Sequence, residues 1–126
     1  MKKPTLLLVV VSRIDRGVLL ANQIRFSEIE AEFKKALSAA SGKASGLAEP
    51  FVRMKTADFW SIEAPADVEV KPVKKVLYRD DVWAKFDEGV YALLASDAAS
   101  RGRVLEQLFT VWIPAERQDA VKAVLS

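Results

Sequence analysis

Any chemistry in this chain has to proceed without imidazole or thiol, because the sequence holds no histidine and no cysteine. That removes imidazole bases, thiolate nucleophiles, disulfides and the common zinc ligand sets. Carboxylates and cations remain. Asp58 and Glu63, followed by Asp80 and Asp81 with Lys71 to Lys75 between them, supply the residue types of a carboxylate–lysine metal centre. Within that span Glu69-Val70-Lys71 is the one tight Glu-x-Lys match. Most other acids, including Glu28, Glu30 and Asp97, fall where helices begin, and there the helix dipole favours negative charge. Capping and solvation therefore account for them better than catalysis does. The five glycines are scattered and form neither a P-loop nor a dinucleotide-binding turn.

The cations point to other chemistry. Arg53 and Lys55 lie in the stretch EPFVRMKTADFWSIEA, and Lys71, Lys74, Lys75 and Arg79 follow soon after. If the middle third folds compactly, these residues make a phosphate-facing surface. The same lysines equally suit a solvated strand edge that discourages pairing. Arg101 and Arg103, near a helix start, oppose the local dipole unless an anion is bound there. Phe51, Phe59 and Trp60 read as core, and Trp83 and Trp112 as core or interface, because large aromatic residues dominate burial.

The elements that must position these side chains follow from periodicity. Pro4 to Arg16 reads as a mostly buried helix, with Leu7, Leu8, Val11 and Ile14 at helical spacing and Gly17 as its stop. Val18 to Arg25 is a short strand or extended arm. Ser27 and Glu30 have capping-box spacing, with Phe26 able to staple onto Ala31, and Ile29, Phe33, Ala36, Leu37 and Ala40 make one apolar face for a helix over 28–40. Ser41 to Gly46 is a polar loop. Pro50 to Lys55 suits a helical turn, and Phe59, Trp60 and Ile62 a strand. Val68, Val70 and Val73 alternate with lysines around Pro72, which predicts an exposed edge strand or hairpin over 67–78 with a basic outer face. From Asp80 the spacing of Val82, Phe86, Val90, Leu93 and Leu94 predicts a helix capped by Asp80 or Asp81. Ser96-Asp97 supplies the cap of the next helix, whose face carries Val104, Leu105, Leu108, Phe109 and Trp112. Pro114 then opens a terminal helix with Ala120, Val121, Val124 and Leu125. The expected fold class is α+β: a single, mainly helical domain over 1–126 with a small antiparallel sheet in its middle third.

A chain of 126 residues can bury one core without disulfides or metal. Its 51% hydrophobic and 29% charged residues are those of a soluble globular protein, and a net charge of +2 is compatible with nucleic acid without being diagnostic. The longest apolar run, Leu6 to Val11, falls far short of the roughly 20 residues that span a bilayer. Met1-Lys2-Lys3 before apolar residues imitates a signal peptide, but Ser12, Arg13, Asp15 and Arg16 interrupt it early. A cytoplasmic protein without membrane contact is expected.

Taken in order, several signals resemble a known family. They are Lys3-Pro4-Thr5-Leu6-Leu7-Leu8 entering a helix that ends at Gly17, the Ile24-x-Phe26 arm, Pro50-Phe51-x-x-Met54, Asp58-Phe59-Trp60-Ser61-Ile62, the stretch from Phe86 to Leu94, and the helix after Asp97. The set resembles the non-catalytic domain of HNH-type restriction endonucleases, whose members include sulfur-binding domains that recognise phosphorothioate-modified DNA in type IV restriction enzymes. The resemblance covers nearly the whole chain. It implies a shallow apolar pocket at Pro50 that receives the modified backbone atom, with Arg53 and Lys55 on the DNA-facing side. In two places the chain departs from the family pattern: Glu49 replaces a residue that is commonly aromatic, and the basic or histidine-containing entry before the first helix is reduced to Lys2-Lys3.

The resulting expectation is a non-enzymatic DNA-recognition domain of a restriction or phage-defence system. It would bind double-stranded DNA, plain or modified, without cofactor or metal and beside a separate nuclease. Lys2, Lys3, Arg53, Lys55, Lys71, Lys74 and Lys75 would contact phosphates, and Pro50 would line the discriminating pocket. The alternative is a protein-interaction or oligomerisation module in which Trp83, Trp112 and the C-terminal helix make an apolar interface. A small carboxylate-metal nuclease is the third reading.

Overall fold

A computed structural model describes residues 1–126. Helix α1 (Lys2–Asp15) runs through the middle of the molecule, with Leu6, Leu8, Val9, Val10, Val11 and Ile14 all buried. A helix that is apolar on nearly every side needs partners all round, and α1 finds them in the helices described below. It starts two residues before Pro4, which costs nothing because the amides of a first helical turn have no intrahelical acceptor to lose. Its two buried hydroxyls are satisfied: Thr5 Oγ1 donates to the Met1 carbonyl at 2.8 Å, and Ser12 Oγ donates to the Leu125 carbonyl at 3.4 Å. Gly17 follows the helix at φ 72°, a conformation that favours glycine.

Residues 18–25 form an extended arm. Ile24 exchanges two backbone hydrogen bonds with Ala84, each 2.8 Å long, and the Asn22 side-chain amide both donates to and accepts from the Phe86 backbone at 2.8 Å. Helix α2 (Phe26–Ser41) begins earlier than its apolar spacing suggests, at Phe26, and has no side-chain cap. The expected Ser27–Glu30 capping box does not form, because Glu30 turns instead to Tyr78 and Lys74. Phe26 is no surface staple either. It is fully buried and meets the Phe51 ring edge-on at 5.3 Å.

The sheet has two strands, β1 (Trp60–Glu63) and β2 (Trp83–Phe86), paired antiparallel with Trp60 opposite Phe86 and Glu63 opposite Trp83. This corrects two expectations. The lysine-rich segment is not an edge strand: residues 67–73 are turns and coil around Pro72, followed by the short helix α4 (Lys74–Leu77). Nor does a helix begin at Asp80. Val82 and Phe86 are four residues apart, a spacing that fits period two as well as helical period, and Ala84 between them is also buried. Pairing with β1 and with Ile24 decides in favour of a strand.

Helix α5 (Glu88–Ser96) is capped by Asp87, whose carboxylate accepts from the Gly89 and Val90 amides at 3.0 and 3.3 Å. Helix α6 (Ala98–Trp112) is capped, as expected, by Asp97 through the Ala99 and Ser100 amides. A 3-10 turn (Ala115–Arg117) after Pro114 leads into α7 (Gln118–Leu125), which docks on α2 through buried Val121 and Leu125. The C-terminal helix therefore belongs to the core and is not a free apolar interface. No helix is long and apolar enough to cross a membrane.

Candidate nucleic-acid interface

Helix α3 (Ala48–Arg53), continued by a 3-10 turn (Met54–Thr56), carries the central motif and is held from below by aromatic rings. Phe51 is fully buried, and its ring stands edge-on to Trp60 at 5.7 Å; Trp60 in turn stands edge-on to Phe86 at 5.5 Å. Trp60 Nε1 donates to the Phe51 carbonyl at 3.0 Å, tying α3 to β1 by a hydrogen bond as well as by packing. Edge-to-face pairs of this kind contribute about 0.5–1.5 kcal/mol each beyond their buried area. The opposite side of α3 is thereby fixed outward, with Glu49 and Arg53 exposed and one helical turn apart.

Pro50 lies between these two faces. It is buried, yet it borders a groove of about 640 Å³ formed by the start of α1, by α3 and by the end of α6. Met1, Pro4, Leu7, Leu108 and Trp112 complete the apolar lining, and Lys2, Lys3, Glu49 and Arg53 carry the charge. Lys2 and Lys3 fall at the first turn of α1, where the helix dipole is already positive, so the groove entrance favours an anion. Lys2 Nζ also approaches Gly46 so closely that a β-carbon there would lie 3.0 Å away. Glu49 does not meet this field as a bare acid, because its Oε1 accepts from Arg53 Nε at 2.7 Å.

Of the eight candidate residues, Lys2, Lys3, Pro50 and Arg53 meet at this groove. Lys55 stands exposed on the 3-10 turn. Lys74 lines a second depression, with Lys34 and Gly46, and its ammonium is 3.1 Å from Glu30 Oε2. Lys71 and Lys75 border a third, acid-containing depression with Asp67 and Glu69, and there Lys71 is 3.4 Å from Glu69. The Glu30 site is a small electrostatic hub. Partial burial works to raise its carboxyl, but hydrogen bonds from the Tyr78 hydroxyl and the Lys74 ammonium outweigh this and hold it below the ordinary value. The same contacts push the Tyr78 hydroxyl and the Lys74 ammonium upward.

Other sequence candidates are given structural work. Glu63 pairs with Lys85 at 2.7 Å and Asp81 with Arg79 at 2.8 Å, and no group of three or more acidic side chains gathers to hold a metal ion. Arg101 binds Asp15 at 3.0 Å and the Leu94 and Ala95 carbonyls at 2.9 and 3.2 Å, so it closes the end of α5 and needs no anion. Trp83 lies under the Arg25 guanidinium, 5.1 Å from ring centroid to carbon. Residue types and spacing did not identify Leu108 and Trp112 as groove residues. The available signal was the breadth of the apolar face of 98–112, which is wider than a single packing stripe requires.

A family model described as "ScoMcrA-like, DNA sulfur-binding domain" matches residues 1–123. No curated protein sequence matches the chain. Among solved structures, the chain is similar to the sulfur-binding domain of ScoMcrA complexed with phosphorothioated DNA, at 18% identity and a TM-score of 0.75, over 98% of this chain and 85% of that one. It is also similar to the Type IV phosphorothioation-dependent restriction endonuclease ScoMcrA, at 18% identity and a TM-score of 0.76, over 95% of this chain and 28% of that one. At these identities the structural likeness speaks for the fold, while the family match extends over nearly every residue: the chain belongs to the family of ScoMcrA-like DNA sulfur-binding domains.

Proposed function

We propose that this chain is a non-catalytic DNA-binding domain that takes a phosphorothioate-modified backbone into the groove at Pro50, in the cytoplasm and beside a nuclease activity located elsewhere. The observation that carries this reading is the convergence of Pro50, Lys2, Lys3 and Arg53 on one groove with apolar walls and a cationic entrance. A phosphorothioate keeps the backbone charge but replaces one oxygen with a larger, more weakly hydrated sulfur. The lysines attract either kind of backbone, whereas an apolar wall favours only the atom that gives up its water cheaply. Lys55, Lys71, Lys74 and Lys75 are proposed as outlying phosphate contacts that add affinity without discrimination. Since the chain has no histidine, cleavage of HNH type would need a partner domain or protein. Backbone amide shifts recorded on adding a short phosphorothioate duplex test the placement. Lys2, Lys3, Glu49 and Arg53 should move most, and a pattern centred on α7 would contradict it.

One observation favours a second reading, that of an interaction module. Helix α6 buries none of its residues, its own Val104 and Val111 are exposed, and Leu93 of α5 is exposed as well. Sedimentation equilibrium tests this, and a monomer at high concentration counts against self-association through α6.

A further inference from the structure

The three tryptophans of the chain differ in how they are engaged. Trp60 is 2% exposed, its rings are packed and its indole N–H is bonded. Trp83 is half-buried beneath a guanidinium. Trp112 is 50% exposed, with no aromatic neighbour, no cation over its face and no acceptor for its N–H. It ends α6 and opens onto the same groove as Pro50, Lys2 and Lys3. An indole left half in water beside a cationic cleft has the composition of a nucleic-acid contact surface.

Helix α3 itself offers little apolar surface to a ligand. Pro50 is almost wholly buried, and the residue before it is a carboxylate already paired with Arg53. Among the large apolar side chains of the groove, Leu7 and Leu108 are half-buried and Met1 is 42% exposed, and Trp112, 50% exposed, is the one aromatic ring that the groove presents to solvent. We infer that Trp112 is the specificity-determining residue of the groove, packing against the thiophosphate sulfur and the sugar beside it. This rests on the groove being the DNA site. The lysine contribution is the same for phosphorothioate and plain backbones, so removing the ring should alter the preference between them more than the affinity for unmodified DNA.

The test is titration of wild type, W112A and W112F with matched plain and phosphorothioate duplexes at one salt concentration. In W112A the preference for the modified duplex should fall about tenfold, through weaker binding of that duplex alone, while W112F keeps most of it. A merely structural ring would instead lower the melting temperature and weaken both duplexes equally, and that result overturns the inference. Should W112A fold poorly, tryptophan emission decides: the modified duplex should change it in wild type and not in W112F, and an unchanged response in W112F contradicts the role. A wild type without preference would overturn the reading of the groove and this inference with it, whereas a selective wild type matched by W112A overturns the role of Trp112 alone.

Discussion

Arg53 donates from Nε to Glu49 Oε1 at 2.7 Å across one turn of α3. The two side chains are 65% and 53% exposed, so the pair adds little to stability. Its consequence is electrostatic: the guanidinium that we propose meets a backbone phosphate is instead engaged by a neighbour, and the acid beside the groove is neutralised in return. For DNA to use Arg53, the pair must open or share the ion.

Substituting Glu49→Gln should therefore tighten binding to plain and modified duplexes alike, by about three- to tenfold at low salt. The slope of log affinity against log salt should steepen by about one unit as Arg53 joins the phosphate contacts. Weaker binding by E49Q would mean that the carboxylate itself positions the ligand or the arginine.

The cations should also prove unequal. A K2Q/K3Q double variant removes both lysines from the groove and should cost about tenfold in affinity, whereas K71Q/K75Q, in a depression that holds Asp67 and Glu69, should stay within about twofold. Fluorescence anisotropy at two salt concentrations separates the pairs, and the reverse ranking would move the DNA track onto α4.

Much of this architecture could be read in advance because it rests on local signals. Gly17, Asp97 and Pro114 mark helix limits through backbone rules that need no tertiary partner, and Pro4 falls in the first turn of α1, two residues after its start. The failures lie where tertiary contacts compete. Val82 and Phe86 satisfy two periods at once, and only Ile24 and β1 choose between them. Glu30 has capping-box spacing, but Tyr78 and Lys74 give it a better-paired site. Within the groove, Lys2, Lys3, Pro50 and Arg53 could be named from residue type together with family likeness. Trp112 could not, since its exposure depends on how α6 lies across α1.

The bond from Trp60 to the Phe51 carbonyl predicts a link between stability and function. Trp60→Phe leaves that buried carbonyl without its donor and should cost about 1–3 kcal/mol in urea unfolding. Because the same bond seats α3, the selectivity of the groove should weaken too. A W60F variant as stable as wild type would show that aromatic packing alone holds the helix.

The Glu30 hub predicts a pH dependence. Its carboxyl is held below the ordinary 4.5, so its contribution is fully present above that value and is lost as pH falls through the lower folded value. Lys74 and Tyr78 are raised above 10.5 and 10.0, so their contributions are complete below those values and are lost only as pH rises past the folded ones. The melting temperature of E30Q should thus lie a few degrees under wild type, by a constant gap from about pH 6 to about pH 9, and the gap should close in acid. A gap that persists well below pH 4 would assign the effect to packing.

Recognition here turns on a single backbone atom, which matched duplexes isolate. Wild-type protein titrated with a plain duplex and with the same sequence carrying phosphorothioate linkages should bind the modified form at least about tenfold more tightly, with both affinities falling as salt rises. Equal affinity for the two duplexes would contradict sulfur recognition at the Pro50 groove.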